Sequence, residues 1–117
     1  MRQGDIVLVD FGKSRESFAF GKKRPALIIQ SDKLNFAVQE GLYDYYIVAP
    51  LSTKKDILTE EFRIKISKRE GLEQESFVVC NSICFLHKRY IGAKIASVTD
   101  EELTMVQEAI KDVLDMA

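Results

Sequence analysis

Gly21-Lys22-Lys23-Arg24-Pro25-Ala26-Leu27-Ile28-Ile29-Gln30 runs from a basic, polar loop straight into an apolar strand. Proline fixes its own φ and pushes the residue before it into extended space, so Arg24 is held at the lip of a strand. The segment from Pro25 on is apolar at nearly every position, the pattern of a strand buried on both faces. A rigidly placed guanidinium beside Lys22 and Lys23 suits a phosphate, because its planar donors match two phosphate oxygens at once. The plainer alternative for Arg24 is a surface ion pair, which adds little stability and carries no chemistry.

Working outward, Ile6–Phe11 reads as a strand and residues 12–23 as a polar loop with Gly12 and Gly21. Ser31-Asp32-Lys33-Leu34-Asn35 is the signature of a capped, short helical turn. A third strand, Tyr43–Ala49, is expected to end at Pro50, followed by a polar loop over residues 51–60. Phe62-Arg63-Ile64-Lys65-Ile66 alternates as a half-exposed strand does. Gly71 turns the chain, Ser76–Cys80 forms a fifth strand, and Tyr90–Val98 supplies one or two more. Thr99 with Glu102 three residues on is a capping box, and Leu103, Val106, Ile110, Val113 and Leu114 follow at helical spacing. Several strands and one terminal helix predict a mainly β fold, a small barrel or curled sheet with a helix packed on it.

The totals narrow the function classes. One domain spanning residues 1–117 is expected from the length. Apolar residues make up 46% and charged residues 30%, with 17 basic and 18 acidic side chains, so bulk charge gives no argument for nucleic acid. The distribution says more: Lys13, Arg15, Lys22, Lys23 and Arg24 crowd one loop, and Lys54 and Lys55 another, while acids gather at the C-terminal end. No apolar run is long enough for a membrane span. The N-terminal residues enter a strand pattern directly, with no signal-peptide h-region, so a cytoplasmic location is expected. Cys80 and Cys84 read as buried free thiols. With His87 the only histidine, the ligand set for zinc is too small, and no metal site is expected.

Taken in order, Gly4-Asp5-Ile6-Val7, Gly21–Ile29, Val48-Ala49-Pro50-Leu51-Ser52-Thr53, Gly71-Leu72, Ser76-Phe77-Val78, Arg89-Tyr90-Ile91-Gly92 and Thr99–Leu103 resemble the MazF/PemK (Kid) toxins of bacterial toxin–antitoxin pairs. The G-K-x-R-P block is the most specific member of that set. The resemblance implies an SH3-like β-barrel with a C-terminal helix, assembled as a homodimer. It implies sequence-specific cleavage of single-stranded RNA with neither metal nor cofactor, blocked by a cognate antitoxin. Arg24 maps onto the family's active-site arginine. Ser52 or Thr53 maps onto its hydroxyl, Ser52 being the closer match. Where family members carry Glu or His before the G-K-x-R-P block, this chain has Phe18, Ala19 and Phe20, with Glu16 further off. Where some place Arg and Asp on the fifth strand, it has Val79 and Asn81.

Metal-free RNA cleavage must remove a proton from the 2′-OH, stabilise charge on phosphorus and protonate the leaving 5′-oxygen. Arg24 suits the second task. Ser52 and Thr53 offer hydroxyls to the phosphate, against the alternative that they cap their own turn. Glu16 and His87 are the candidates for acid/base work, His87 because it titrates near neutrality unaided; the alternative for a lone histidine is structural. Lys22, Lys23, Lys54 and Lys55 can follow an RNA backbone, and Phe18 and Phe20 can stack on bases, pack on the barrel or meet an antitoxin. Two further readings stand beside the nuclease: a CcdB-like toxin that binds a protein target, and a family member that keeps the fold but has weak or no catalysis.

Overall fold

The computed structural model describes residues 1–10, 23–55 and 57–116. Seven strands form one antiparallel sheet: β1 (Asp5–Asp10), β2 (Lys23–Ile28), β3 (Tyr45–Ser52), β4 (Arg63–Ile66), β5 (Ser76–Val79), β6 (Cys84–His87) and β7 (Ile91–Ser97). Helix α1 (Asp32–Gln39) follows β2, and helix α2 (Asp100–Val113) ends the described fold. Short 3-10 segments precede β4 (Ile57–Phe62) and β7 (Lys88–Tyr90). The neighbours run β4-β5-β3-β2-β1-β7, with β6 added to β3.

Alternation along the strands builds two cores, one on each face of the sheet. Ile6, Leu27, Ala49, Leu51, Ile66, Val78 and Cys80 line the concave face, where Val106 and Ala109 of α2 close over them. The intervening residues, Val7, Val9, Ala26, Ile28, Tyr46 and Val48, form the second core with Val38 of α1. This is why β1 and β2 read as continuous apolar runs rather than as alternating ones.

The mainly β fold with a C-terminal helix is the expected one, and its elements depart from expectation in three places. Pro50 does not end β3. The strand continues to Ser52, and Pro50 lies between its last partner in β6 (Val48) and its first in β5 (Leu51). At such a changeover a missing N–H is tolerated. The expected helical turn after Ser31 is a full helix to Gln39. Ser31 caps it, and Gly41, at φ 76°, receives the chain beyond its last turn. Asn35 anchors it from inside: Asn35 Nδ2 donates to Gln30 O at 2.9 Å, and Gln30 Nε2 donates to Asn35 Oδ1 at 3.1 Å. Finally, Cys84–His87 forms a strand that was not expected.

The barrel is an open one: among the described residues no ladder joins the ends of the sheet, β4 and β7. A turn fills the seam instead. Arg69 and Leu72 bridge each other, and Gly71, at φ 89°, presses on β7 so closely that a Cβ there would lie 1.7 Å from Ile95 O. Arg69 pins this turn to β7 and to α2 together. Its Nη1 donates to Ser97 O at 3.0 Å and to Glu102 Oε1 at 2.7 Å, and its Nη2 donates to Glu102 Oε2 at 2.6 Å. Glu102 also accepts from Thr99 N at 2.8 Å, completing the predicted capping box.

The Arg69 guanidinium, helped by the Thr99 bonds, holds the Glu102 carboxyl below its ordinary pKa of 4.5. A depressed folded-state pKa contributes stability that is present above the unfolded value and lost as pH falls. Glu102→Ala should therefore lower stability by about 3 kcal/mol at neutral pH. Glu102→Gln, which preserves a capping side chain, should cost less and lose the part of the acid-side decline that begins below pH 4.5. Urea denaturation midpoints at neutral pH and at about pH 3 check both; an unchanged acid dependence in Glu102→Gln would refute the assignment.

Candidate functional site

Arg24 lies on β2 opposite Val9 of β1, and its side chain is exposed. The β2–β3 ladder pairs Ile28 with Val48, Leu27 with Ala49 and Ala26 with Pro50. The ladder ends at the Ala26–Pro50 pair, and Arg24 and Ser52 each lie two residues beyond it. By alternation, Arg24, Ala26 and Ile28 share one face of β2, and Tyr46, Val48, Pro50 and Ser52 share the matching face of β3. Thr53 has the opposite parity. It lines an open depression of about 350 Å³ at the mouth of the concave side, together with Pro25, Glu73, Gln74 and Ser76. The two hydroxyls therefore flank the sheet edge, Ser52 on the arginine's face and Thr53 on the other.

Ser52 is half-buried, and its Oγ accepts from Lys54 N at 3.1 Å, so the turn-capping reading of this serine holds. That bond uses a lone pair and leaves the hydroxyl hydrogen free to donate. The same residue is gripped on its other side, where Arg63 Nη1 donates to Lys54 O at 2.8 Å. The loop after β3 is thus tied to β4. Lys54 and Lys55 are exposed beside it, as is Lys23 next to Arg24. Glu16, Phe18, Phe20 and Lys22 lie outside the described residues.

His87 is not brought to this place. It pairs with Tyr45, seven residues from Ser52 along β3, a separation of about 23 Å at strand rise. Its Nδ1 accepts from Arg89 N at 3.1 Å, capping the 3-10 turn, and its ring meets Tyr45 edge-on at 5.3 Å. Asp5 likewise serves structure: it accepts from Arg2 N at 2.8 Å and pairs with Lys94 at 3.2 Å. Val79 is buried, and Asn81 is exposed in the turn after β5.

Sequence reasoning missed Arg63, Glu73 and Phe77. Arg63 was legible as the polar member of an alternating strand, but nothing in the sequence showed that it reaches the Lys54 carbonyl. Glu73 is the carboxylate bordering the depression at Thr53. Phe77 stands directly opposite Ser52 in the β3–β5 ladder, a placement that its position in an apolar strand pattern does not reveal. Among the described residues no three His, Cys, Asp or Glu side chains gather as a metal site would require. No helix among them is long and apolar enough to cross a membrane. An apolar cleft of about 480 Å³ between α1 and α2 is lined by none of the predicted site residues.

The chain belongs to the toxins of type II toxin–antitoxin systems. Within them it is a member of the PemK-like, MazF-like family, whose model matches residues 2–114. Its fold is similar to that of an endoribonuclease in complex with its cognate antitoxin from a mycobacterial species (TM-score 0.77, 17% identity, covering 100% of this chain and 97% of that one). The Mycobacterium tuberculosis toxin MazF-mt6 has a similar fold (TM-score 0.74, 21% identity, 97% and 98% covered). So does a MazE–MazF structure from Deinococcus radiodurans (TM-score 0.73, 18% identity, 100% and 97% covered). No curated protein matches the chain by the same standard.

The cysteines take no part in the site. Both are free; burial pushes the Cys80 thiol up to about 11, and the half-buried Cys84 is also raised. Reactivity requires the thiolate, so native Cys80 should resist a disulfide-exchange reagent at about pH 8, with both thiols titrating promptly in denaturant. Rapid labelling of Cys80 in the folded protein would contradict this burial.

Proposed function

We propose that this toxin is a sequence-specific, metal-independent endoribonuclease that cleaves single-stranded RNA in the cytoplasm and is neutralised by a cognate antitoxin. The observation that carries the reading is the placement of Arg24 and Ser52 on one face of adjacent strands, in a chain that matches the toxin family over residues 2–114. The solved structures similar to it include toxins held by antitoxins, which supports an antitoxin as partner. We assign a homodimer as the working form on the same family likeness.

In this reading the 2′-oxygen attacks the adjacent phosphorus. The new O–P bond forms as the bond to the 5′-oxygen breaks, leaving a cyclic phosphate on one product, while the departing 5′-oxygen takes a proton from solvent water and becomes the hydroxyl of the other. Arg24 takes the negative charge that builds on the non-bridging oxygens. Its pKa, above about 12 in water, suits a permanent cation rather than a proton carrier. Ser52 donates its free hydroxyl hydrogen to the same phosphate. The 2′-OH proton passes to solvent water; Glu73 lies with Thr53 on the face opposite Arg24 and Ser52 and takes no part, and Glu16 is outside the described residues. Lys23, Lys54 and Lys55 hold the flanking backbone.

A second reading, a member that binds RNA without cutting it, draws on Val79 and Asn81, neither of which can transfer a proton at neutral pH. Incubation with a long RNA in EDTA separates the two. Wild-type protein should cut at a recurring sequence. Arg24→Ala should lose about 10²–10³ in kcat, the scale of one removed charge-stabilising donor. Ser52→Ala should fall more than Thr53→Ala, and Glu73→Gln, on the other face, should stay near wild type. Intact RNA with folded, antitoxin-free wild type would sink the nuclease reading, and the reverse order of the two hydroxyl variants would reassign the phosphate donor to Thr53.

A further inference from the structure

The strand register places more than two residues in line on the outer face. Ser52 pairs with Phe77 of β5, and Phe77 pairs with Lys65 of β4. Directly paired residues on neighbouring antiparallel strands project from the same face. Hydroxyl, aromatic ring and lysine thus stand in paired register over two strand spacings, about 9 Å, with Arg24 on the same face of β2 just beyond its last pair with β3. The residues alternating with this row, Leu51, Val78 and Ile64, point the other way into the concave core.

The far half of the row borders its own hollow, about 230 Å³, lined by Lys55, Glu60, Arg63, Lys65, Glu75 and Phe77. Phe77 is half-buried there, so part of its ring is open to the hollow. Lys65 pairs with Glu75 at 3.3 Å, but both side chains are well exposed, and such a pair yields to a phosphate at little cost. Arg63 Nε is buried and has no hydrogen-bond partner among the described residues. An aromatic ring bordered by cations is the combination that holds single-stranded nucleic acid: bases stack on the ring and the backbone follows the charge.

From this row we infer that the β4–β5 face is a nucleotide subsite next to the cleavage point, with Phe77 the platform for the base adjoining the Arg24–Ser52 phosphate and Lys65 the contact for the next phosphate. The inference rests on the nuclease reading above and adds a specificity-bearing residue to it. RNA fits the row better than a protein segment does, because cation, ring and cation recur in the order of phosphate, base and phosphate.

The test uses the full-length protein and an oligonucleotide spanning a cut site mapped in long RNA. Phe77→Leu should lower kcat/KM about five- to a hundredfold, the worth of one base stack, while Phe77→Tyr stays near wild type. Trimming the oligonucleotide one nucleotide at a time should reveal one position whose removal costs wild type that same factor and costs Phe77→Leu nothing more, as coupled partners require. Phe77→Leu within twofold of wild type, or losses that simply multiply, would overturn the subsite. So would a Phe77→Leu protein that cuts normally but binds its antitoxin weakly, which would make the face a protein contact. Should Phe77→Leu fail to fold, the exposed Lys65→Gln carries the test: the salt slope of RNA binding should fall by about one phosphate contact, and an unchanged slope would overturn the inference. Should wild type cut nothing, the nuclease reading fails separately. Binding of a fluorescein-labelled, mixed-sequence RNA of about 12 nucleotides then decides, with equal affinities for wild type and Phe77→Leu overturning the subsite and weaker binding by the variant supporting it.

Discussion

The architecture depends on β3 changing neighbours. One edge of this strand keeps β2 from Val48 to Pro50, while the other holds β6 through Val48 and takes β5 from Leu51 on. That exchange lets a single strand serve both the α1-covered core and the α2-covered core, and it curls the sheet. Pro50 sits where the exchange occurs. The residue that looked like a stop signal marks instead the point at which one ladder ends and another begins. Ser52, two residues later, is carried out over β5 rather than left on a loop, and this brings it into line with Arg24 on one side and Phe77 on the other.

The curl leaves a seam, and a charged fork spans it. Arg69 binds Ser67, Ser97 and Glu102, so a turn, a strand and a helix N-terminus meet in one guanidinium. Glu102 already works within the helix as the reciprocal partner of Thr99. The capping box therefore does more than start α2; it couples the start of the helix to the closing of the sheet. Gly71 permits the turn to lie against Ile95 where any side chain would collide with backbone.

What the sequence revealed follows from which signals are local. The capping box and the apolar stripe of α2 are local, and the helix appeared where they put it. Pro25 before an apolar run is local too, and it located Arg24 at the start of a buried strand. Helix α1 was foreshortened because its main anchor is the buried Gln30–Asn35 amide pair, two polar residues that a hydrophobic pattern does not count. β6 is only four residues long, and its inward members, Cys84 and Leu86, find their core through pairing with β3. Arg63 and Phe77 could not be assigned because their significance comes from ladders between segments distant in sequence. His87 illustrates the converse: its chemistry was suggestive, yet its partner strand sets it at the opposite end of β3 from Ser52.

Parity decides more of the candidate site than residue type does. Ser52 and Thr53 are chemically near-equivalent, yet a strand turns successive side chains to opposite faces. Only one of them can share a face with Arg24. The same rule applies one strand further, where Phe77 faces outward and Val78 lies in the core. A site assembled this way is built on strand backbone and tied loop ends, which hold groups in place better than free loops do. In the proposed nuclease that rigidity matters, because there Arg24 acts by charge and position rather than by gaining or losing a proton. A permanently charged donor lowers a barrier only as far as its geometry matches the developing charge. Pro25 on one strand and the Lys54 backbone, held by Ser52 and Arg63, on the next fix the two groups that the proposal relies on.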